Sequence, residues 1–228
     1  MDTSGSESVT VVTGAAGVLG AAVVDRFNRA GHITCAVDLN TVSGCEPTHV
    51  FEGVDLSDAA QLKQTRDAIV SKAGRITNLV NVAGGFTWET FQDSDLSSWK
   101  RMWDLNLNTA VNMTSSCLPA ISASKGGIVM IGAAATRVPG AGMAPYAASK
   151  AGLQVFTESL AREMAGSGVR VNAVLPSIID TPTNRKDIPD ADTAQWIPPS
   201  DLADVIRFLL SDAARSVSGA LIPVTRGY

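Results

Sequence analysis

Short apolar or β-branched runs alternate with longer stretches of helical periodicity from one end of the chain to the other. Val9-Thr13, Ile33-Asp38, Leu79-Val82, Ile128-Ile131, Val169-Leu175 and Leu221-Val224 read as buried strands, too apolar for one-sided burial. Between them, Gly17-Ala30, Asp58-Ala73, Ser97-Ser122, Ala144-Ala165 and Ser200-Ser211 read as helices. Ser200 is the expected cap of the last one, its hydroxyl accepting from the first turn. Strand and helix in strict alternation predict a single-domain α/β fold, a doubly wound parallel sheet with helices on both faces.

One segment breaks the rhythm. Thr181-Pro199 is nineteen residues with four prolines and little periodicity. It follows a strand end, where α/β folds place their ligands, and is expected to be a substrate lid.

Composition narrows the function classes. The 228 residues are 45% hydrophobic and 18% charged, which excludes a disordered chain. A net charge of -4 argues against a nucleic-acid binder. No apolar run reaches the roughly 18 residues of a membrane helix, and Met1 to Ser8 is polar and acidic, unlike a signal peptide. Cys35, Cys45 and Cys117 have neither CxxC spacing nor histidine partners, so reduced thiols, no metal and a cytoplasmic location are expected.

The chemistry begins at Thr13-Gly14-Ala15-Ala16-Gly17-Val18-Leu19-Gly20, directly after the first strand and opening the first helix. Glycines there allow a tight turn, and the free amides of a helix start attract a pyrophosphate. Asp38 lies eighteen residues beyond Gly20, where a carboxylate accepts from the ribose hydroxyls of a dinucleotide. No arginine or lysine lies between Gly31 and Val50 to receive a 2'-phosphate, so NADH is expected over NADPH. Tyr146 and Lys150 are four apart in a helical pattern, on one face and about 6 Å apart along the axis. A cation so placed is expected to lower the phenol's pKa and ease proton exchange.

With these residues in view, the sequence resembles the short-chain dehydrogenases/reductases over nearly its whole length, Val9 to about Val224. Gly14, Gly17, Gly20, Asp38, Asp55, the run Asn81-Val82-Ala83-Gly84, Asn106, the Tyr146/Lys150 pair, Pro176 and Thr181 carry the resemblance. It implies that Tyr146 is the general acid, that Lys150 binds the nicotinamide ribose, and that Asn106 supports a proton-relay water. Asp55 then takes the adenine side, while Pro176 and Thr181 hold the nicotinamide carboxamide. It also implies a small-molecule substrate and a homodimer or homotetramer built from the two long central helices.

Two positions depart from the family pattern. The glycines follow a first, fourth, seventh spacing, and Ala133 stands thirteen residues before the tyrosine, where the family carries a catalytic serine. Thr136, three residues on, is a weaker candidate for that hydroxyl. Within the family, the quinonoid dihydropteridine reductases also lack the serine. They resemble this chain in its glycine spacing, in Gly132-Ala133-Ala134-Ala135 before Pro139-Gly140-Ala141-Gly142-Met143, and in Asp180-Thr181-Pro182-Thr183-Asn184-Arg185-Lys186 with Trp196. Val82-Ala83-Gly84-Gly85-Phe86 matches too, placing an aromatic against a flat ring. The resemblance implies an NADH-dependent pterin reductase with Phe86, Ala133, Met143 and Trp196 around the substrate. Two alternatives stay open: a general carbonyl reductase or alcohol dehydrogenase, and a non-catalytic NAD(H)-binding sensor.

Overall fold

A computed structural model describes residues 8–226 of the chain. Of the polar stretch read from Met1 to Ser8, all but Ser8 lies outside the described residues. Seven parallel strands form one sheet: β1 (Val9–Thr13), β2 (Ile33–Val37), β3 (His49–Phe51), β4 (Asn78–Asn81), β5 (Gly127–Ile131), β6 (Arg170–Pro176) and β7 (Leu221–Val224). Their order is β3-β2-β1-β4-β5-β6-β7, so the winding direction reverses between β1 and β4. That reversal opens a crevice at the carboxyl ends of those two strands.

All six expected strands are present, and β3 is an addition. Both faces of the sheet are covered, as the uniformly apolar strands require. On one face α2 (Ala59–Ala73), α4 (Thr109–Ser124) and α5 (Ala144–Glu163) enclose Leu62, Ile69, Met113, Ile121, Ile128 and Leu153. On the other, α1 (Val18–Arg29) and α7 (Pro199–Leu209) enclose Val23, Phe27, Val129, Leu202 and Ile206. Phe27 is fully buried there, worth about 2–3 kcal/mol of transfer free energy.

Three helix expectations change. The stretch expected as one helix over Ser97-Ser122 is α3 (Leu96–Trp103), a π-helical turn over Asp104–Asn108, and then α4. The final helix starts at Pro199 with Pro198 before it, so Ser200 lies inside the first turn and caps nothing. The proline-rich segment contains a short helix, α6 (Pro182–Asp187), whose N-cap Thr181 accepts from the Asn184 amide at 3.1 Å. Its ends are clasped: Ile197 donates to the Ile178 carbonyl and Asp180 to the Ile197 carbonyl, both at 2.8 Å.

Candidate active site

The crevice is tied together at its base by Thr13, the last residue of β1. Its hydroxyl oxygen accepts from the amides of Val82 (3.1 Å) and Ala83 (3.3 Å), just past β4. The glycine turn runs over this junction. Gly14 has φ +65°, and a Cβ on it would stand 2.7 Å from the Ala83 nitrogen. A Cβ on Gly20 would stand 2.1 Å from the Gly14 carbonyl oxygen, so turn and helix approach each other at glycine-only distance. Gly17 accepts from Ala21 as α1 begins, while the amides of Val18, Leu19 and Gly20 have no upstream acceptor. Three free donors on a bare-backbone turn at a helix N-terminus fit a pyrophosphate.

Asp38, at the end of β2, is buried beside this turn. One carboxylate oxygen accepts from the Ala16 amide at 2.9 Å and the other from the Asn40 amide at 2.8 Å. These bonds hold the carboxylate at the rim and leave lone pairs free for hydroxyl donors. Asp55 is exposed after β3. Hydrogen bonds from the Ser57 hydroxyl and amide hold its carboxyl below the usual carboxylate range. The Asn81 side chain turns away from the crevice: it donates to Thr114 at 3.0 Å, and its Oδ1 has no partner. Only the backbone beyond it reaches the cleft.

The reaction side is built on α5 and the π-helical turn. Tyr146 and Lys150 lie one turn apart on α5, as their spacing predicts. The Lys150 ammonium is buried and donates to the Ile131 carbonyl at 2.7 Å. Asn106, in the π turn, accepts from the Gly85 amide at 2.9 Å and donates to the Ser149 hydroxyl at 3.1 Å. A Cβ on Gly84 would stand 2.8 Å from Asn106 Oδ1 and 3.3 Å from Lys150 Nζ, so this glycine leaves room beside both polar atoms. Single π turns recur at functional sites because the extra residue redirects a side chain. Here the redirected side chain is Asn106.

The pKa pattern differs from the sequence expectation. Burial raises Tyr146 to about 12 and lowers Lys150 to about 8. Desolvation penalises each charged form, and the ammonium is spent on a backbone carbonyl rather than on the phenol. Tyr146 is therefore a neutral phenol at neutral pH.

Phe86 meets Tyr146 edge to face, with ring centroids 4.9 Å apart. It is 52% exposed, so one face stays open to a ligand. Trp88, beyond it, donates to the Ala141 carbonyl at 3.0 Å, and the Glu89 amide donates to the Gly142 carbonyl at 2.9 Å. These bonds clasp the segment after β4 to the turn preceding Met143, the residue before α5. Ala133 is buried at the end of β5. Thr136 does not replace its missing hydroxyl. That group donates to the Ala133 carbonyl at 2.8 Å and accepts from Gln154 at 2.6 Å.

Several expected side chains sit differently. Trp196 is 4% exposed, held inside the clasped base of the Thr181-Pro199 segment, and offers no ring face to the crevice. Arg185, in the same segment, is paired with Asp180 at 2.6 and 2.8 Å. Pro176 ends β6 at the rim, with Thr181 just beyond it capping α6. Sequence reasoning missed Ser149 and Gln154. Both lie on the face of α5 that carries Tyr146, three and eight residues on, and that spacing was their only signal.

Among the described residues no helix is long and apolar enough to cross a membrane, and no group of His, Cys, Asp or Glu is arranged to hold a metal.

The family model described as short chain dehydrogenase matches residues 8–192. The chain is 31% identical to D-threitol dehydrogenase of Mycolicibacterium smegmatis, over 96% of this chain and 92% of that one. It is 32% identical to a 3-oxoacyl-(acyl-carrier-protein) reductase of Thermotoga maritima, over 96% of both. A solved 3-ketoacyl-(acyl-carrier-protein) reductase from Brucella melitensis, complexed with NADH, superposes with a TM-score of 0.87 at 24% identity, covering 96% of this chain and 97% of that one.

Proposed function

The chain belongs to the short-chain dehydrogenase family, and from that membership we propose an NADH-dependent reductase acting on a small cyclic substrate with a conjugated imine or carbonyl. A quinonoid dihydropteridine is the first candidate. The observation that carries the reading is the Tyr146, Lys150 and Asn106 cluster beneath Phe86, with a methyl at Ala133 where a hydroxyl would polarise a ketone.

Bound nicotinamide supplies the hydride. The amides of Val18, Leu19 and Gly20 neutralise its pyrophosphate, and Asp38 accepts from the adenosine ribose. The same carboxylate repels a 2'-phosphate, which sets NADH above NADPH. Asp55 would take the adenine side, the backbone at Ala83 and Gly84 would line the cleft, and Pro176 and Thr181 would hold the carboxamide. Lys150, seated at the Ile131 carbonyl, would hold the nicotinamide ribose. Tyr146, neutral at neutral pH with its pKa pushed up to about 12, holds the proton the reduced product needs. Phe86 and Met143 flank the substrate ring.

Losing one donor to a developing oxyanion typically costs about 10²–10³ in turnover. A simple ketone would bear that cost at Ala133. A conjugated imine spreads the developing charge over ring nitrogens and bears less of it. A second reading, an alcohol dehydrogenase or carbonyl reductase, is supported by the dehydrogenase and reductase relatives. A homo-oligomer through the central helices is supported by Trp103, which is 47% exposed and lies against Gly152 of α5.

The test is NADH oxidation by the purified protein with quinonoid dihydropterin generated in place, run beside NADPH, cyclic ketones and the Tyr146→Phe variant. Turnover of the pterin with NADH preferred, lost in Tyr146→Phe while NADH still binds, is the expected result. An inert pterin with active ketones selects the second reading. Undiminished turnover in Tyr146→Phe overturns the role of the phenol.

A further inference from the structure

The π-helical turn and α5 meet through one buried hydroxyl. Ser149 is 1% exposed and Asn106 is fully buried. The Ser149 hydroxyl donates to the Tyr146 carbonyl at 2.7 Å and accepts from Asn106 Nδ2 at 3.1 Å. Asn106 Oδ1 accepts in turn from the Gly85 amide at 2.9 Å. A continuous line of hydrogen bonds thus runs from the loop after β4, through the π turn, to the backbone of the proton donor. We propose that Ser149 is a positioning residue that couples Asn106 to the backbone of Tyr146, so that the π turn, the Gly84-Gly85 loop and the start of α5 hold one arrangement.

The chemistry of the groups requires the hydroxyl. A serine inside a helix commonly donates to a carbonyl three or four residues back, which by itself is a local contact. Here the oxygen keeps lone pairs for a second partner, and Asn106 supplies the donor. The other acceptor near that amide is the Met102 sulfur at 3.8 Å, a weak one. Without the hydroxyl, a buried N–H group is left with no oxygen to meet, and such a group costs far more than the bond gained when it is paired. Asn106 then rotates or draws in water, and its hold on Gly85 loosens. Because Gly84 leaves room for Asn106 Oδ1 and Lys150 Nζ side by side, the disturbance reaches the cleft floor beside both groups.

The role in turnover rests on the reaction reading above, whereas the coupling itself does not. Two near-isosteric variants, Ser149→Thr and Ser149→Val, add the same methyl-sized bulk and differ only in the hydroxyl. Expected are a fall in kcat of about tenfold in Ser149→Val with the NADH dissociation constant unchanged, its restoration in Ser149→Thr, and faster exchange of the Gly85 amide in the Val variant alone. Equal turnover and equal Gly85 exchange in the two variants overturn the proposal. If the added bulk prevents folding, Ser149→Ala is compared with wild type in the presence and absence of Asn106→Ala. A loss that vanishes in the Asn106→Ala background supports the coupling, and an equal loss in both backgrounds overturns it. Should Tyr146→Phe turn over normally, the reaction reading fails while Gly85 exchange still reports on Ser149.

Discussion

The two ends of the strand-edge crevice are built from different material. Around Gly14, Gly20 and Ala83 the surface is backbone, and its shape is set by distances at which no side chain fits. Around Tyr146 the structure is made by side chains: half-exposed Phe86 on its edge, backed by the buried Asn106 and Lys150 and held by a hydrogen-bond line. A backbone cradle accepts any ligand with the right phosphates and tolerates little change. A side-chain wall tolerates substitution and is where specificity changes. The departure at Ala133 falls on the tolerant side.

The sharpest break in that comparison is at Gly20. An added Cβ would stand 2.1 Å from the Gly14 oxygen and 2.7 Å from Ala15 Cα, both backbone atoms that cannot step aside. Gly20→Ala is expected to cost about 3 kcal/mol or more of stability, and to weaken NADH binding by roughly a hundredfold or more, because the turn must open to admit the methyl. Thermal unfolding and NADH fluorescence titration measure both. Wild-type affinity in that variant would mean the cradle is not backbone-limited.

The same division decides what the sequence disclosed. Gly14 to Gly20, Asp38 and the Tyr146/Lys150 spacing were legible because each is a local pattern on one element. The six long strands were legible because burial on both faces makes them uniformly apolar. β3 was not, since His49–Phe51 is too short for any period to show. The π turn was hidden because one extra residue within a long helical stretch leaves no mark in residue type and appears only in the backbone. Thr181-Pro182, a capping threonine followed by a proline suited to a first helical turn, is a local signal for α6 that the reading of the whole segment as an irregular lid passed over. Ser149 and Asn106 are 43 residues apart, and no periodicity joins residues at that distance. Trp196 misleads for the opposite reason: a tryptophan in an irregular segment reads as a ligand platform until its burial is known.

Lys150 separates burial from function on the side-chain end. Its pKa falls from 10.5 to about 8 through burial. Below pH 8 both folded and unfolded states hold the proton, and the burial penalty is fully present. Between pH 8 and 10.5 the unfolded state binds a proton that the folded state has released, so stability rises with pH. Opposing contributions enter above pH 9 from the buried thiols of Cys35 and Cys117, pushed up from 9.0 to about 12, and above pH 10 from Tyr146, pushed up from 10.0 to about 12; each lowers stability as its unfolded form ionises. The contribution of Lys150, read as wild type minus Lys150→Met, is therefore expected to rise by about 2 kcal/mol between roughly pH 7.5 and 9.5, with Lys150→Met the more stable of the two at neutral pH. Chemical denaturation across that range measures it. An identical slope in the variant would show that the ammonium is solvated rather than buried.

The smallest expected effect probes the rim. Gly142 has φ +77°, and a Cβ there would lie 2.4 Å from the Trp88 ring, inside the clasp that joins the segment after β4 to the turn before α5. Gly142→Ala meets two penalties, the strain of a side chain at positive φ, about 1 kcal/mol, and the displacement of an indole. The indole is exposed and has room to swing outward, so the cost is smaller than at Gly20, where the opposing atoms are backbone. What is lost is the clasp, and with it the register of Phe86 over Tyr146. A rise of a few-fold in KM for the cyclic substrate is expected, with NADH affinity and kcat held within about twofold, because neither the cradle nor the proton donor has moved. A change in NADH affinity of the same size would mean that the two ends of the crevice are mechanically coupled and that their different construction does not make them independent.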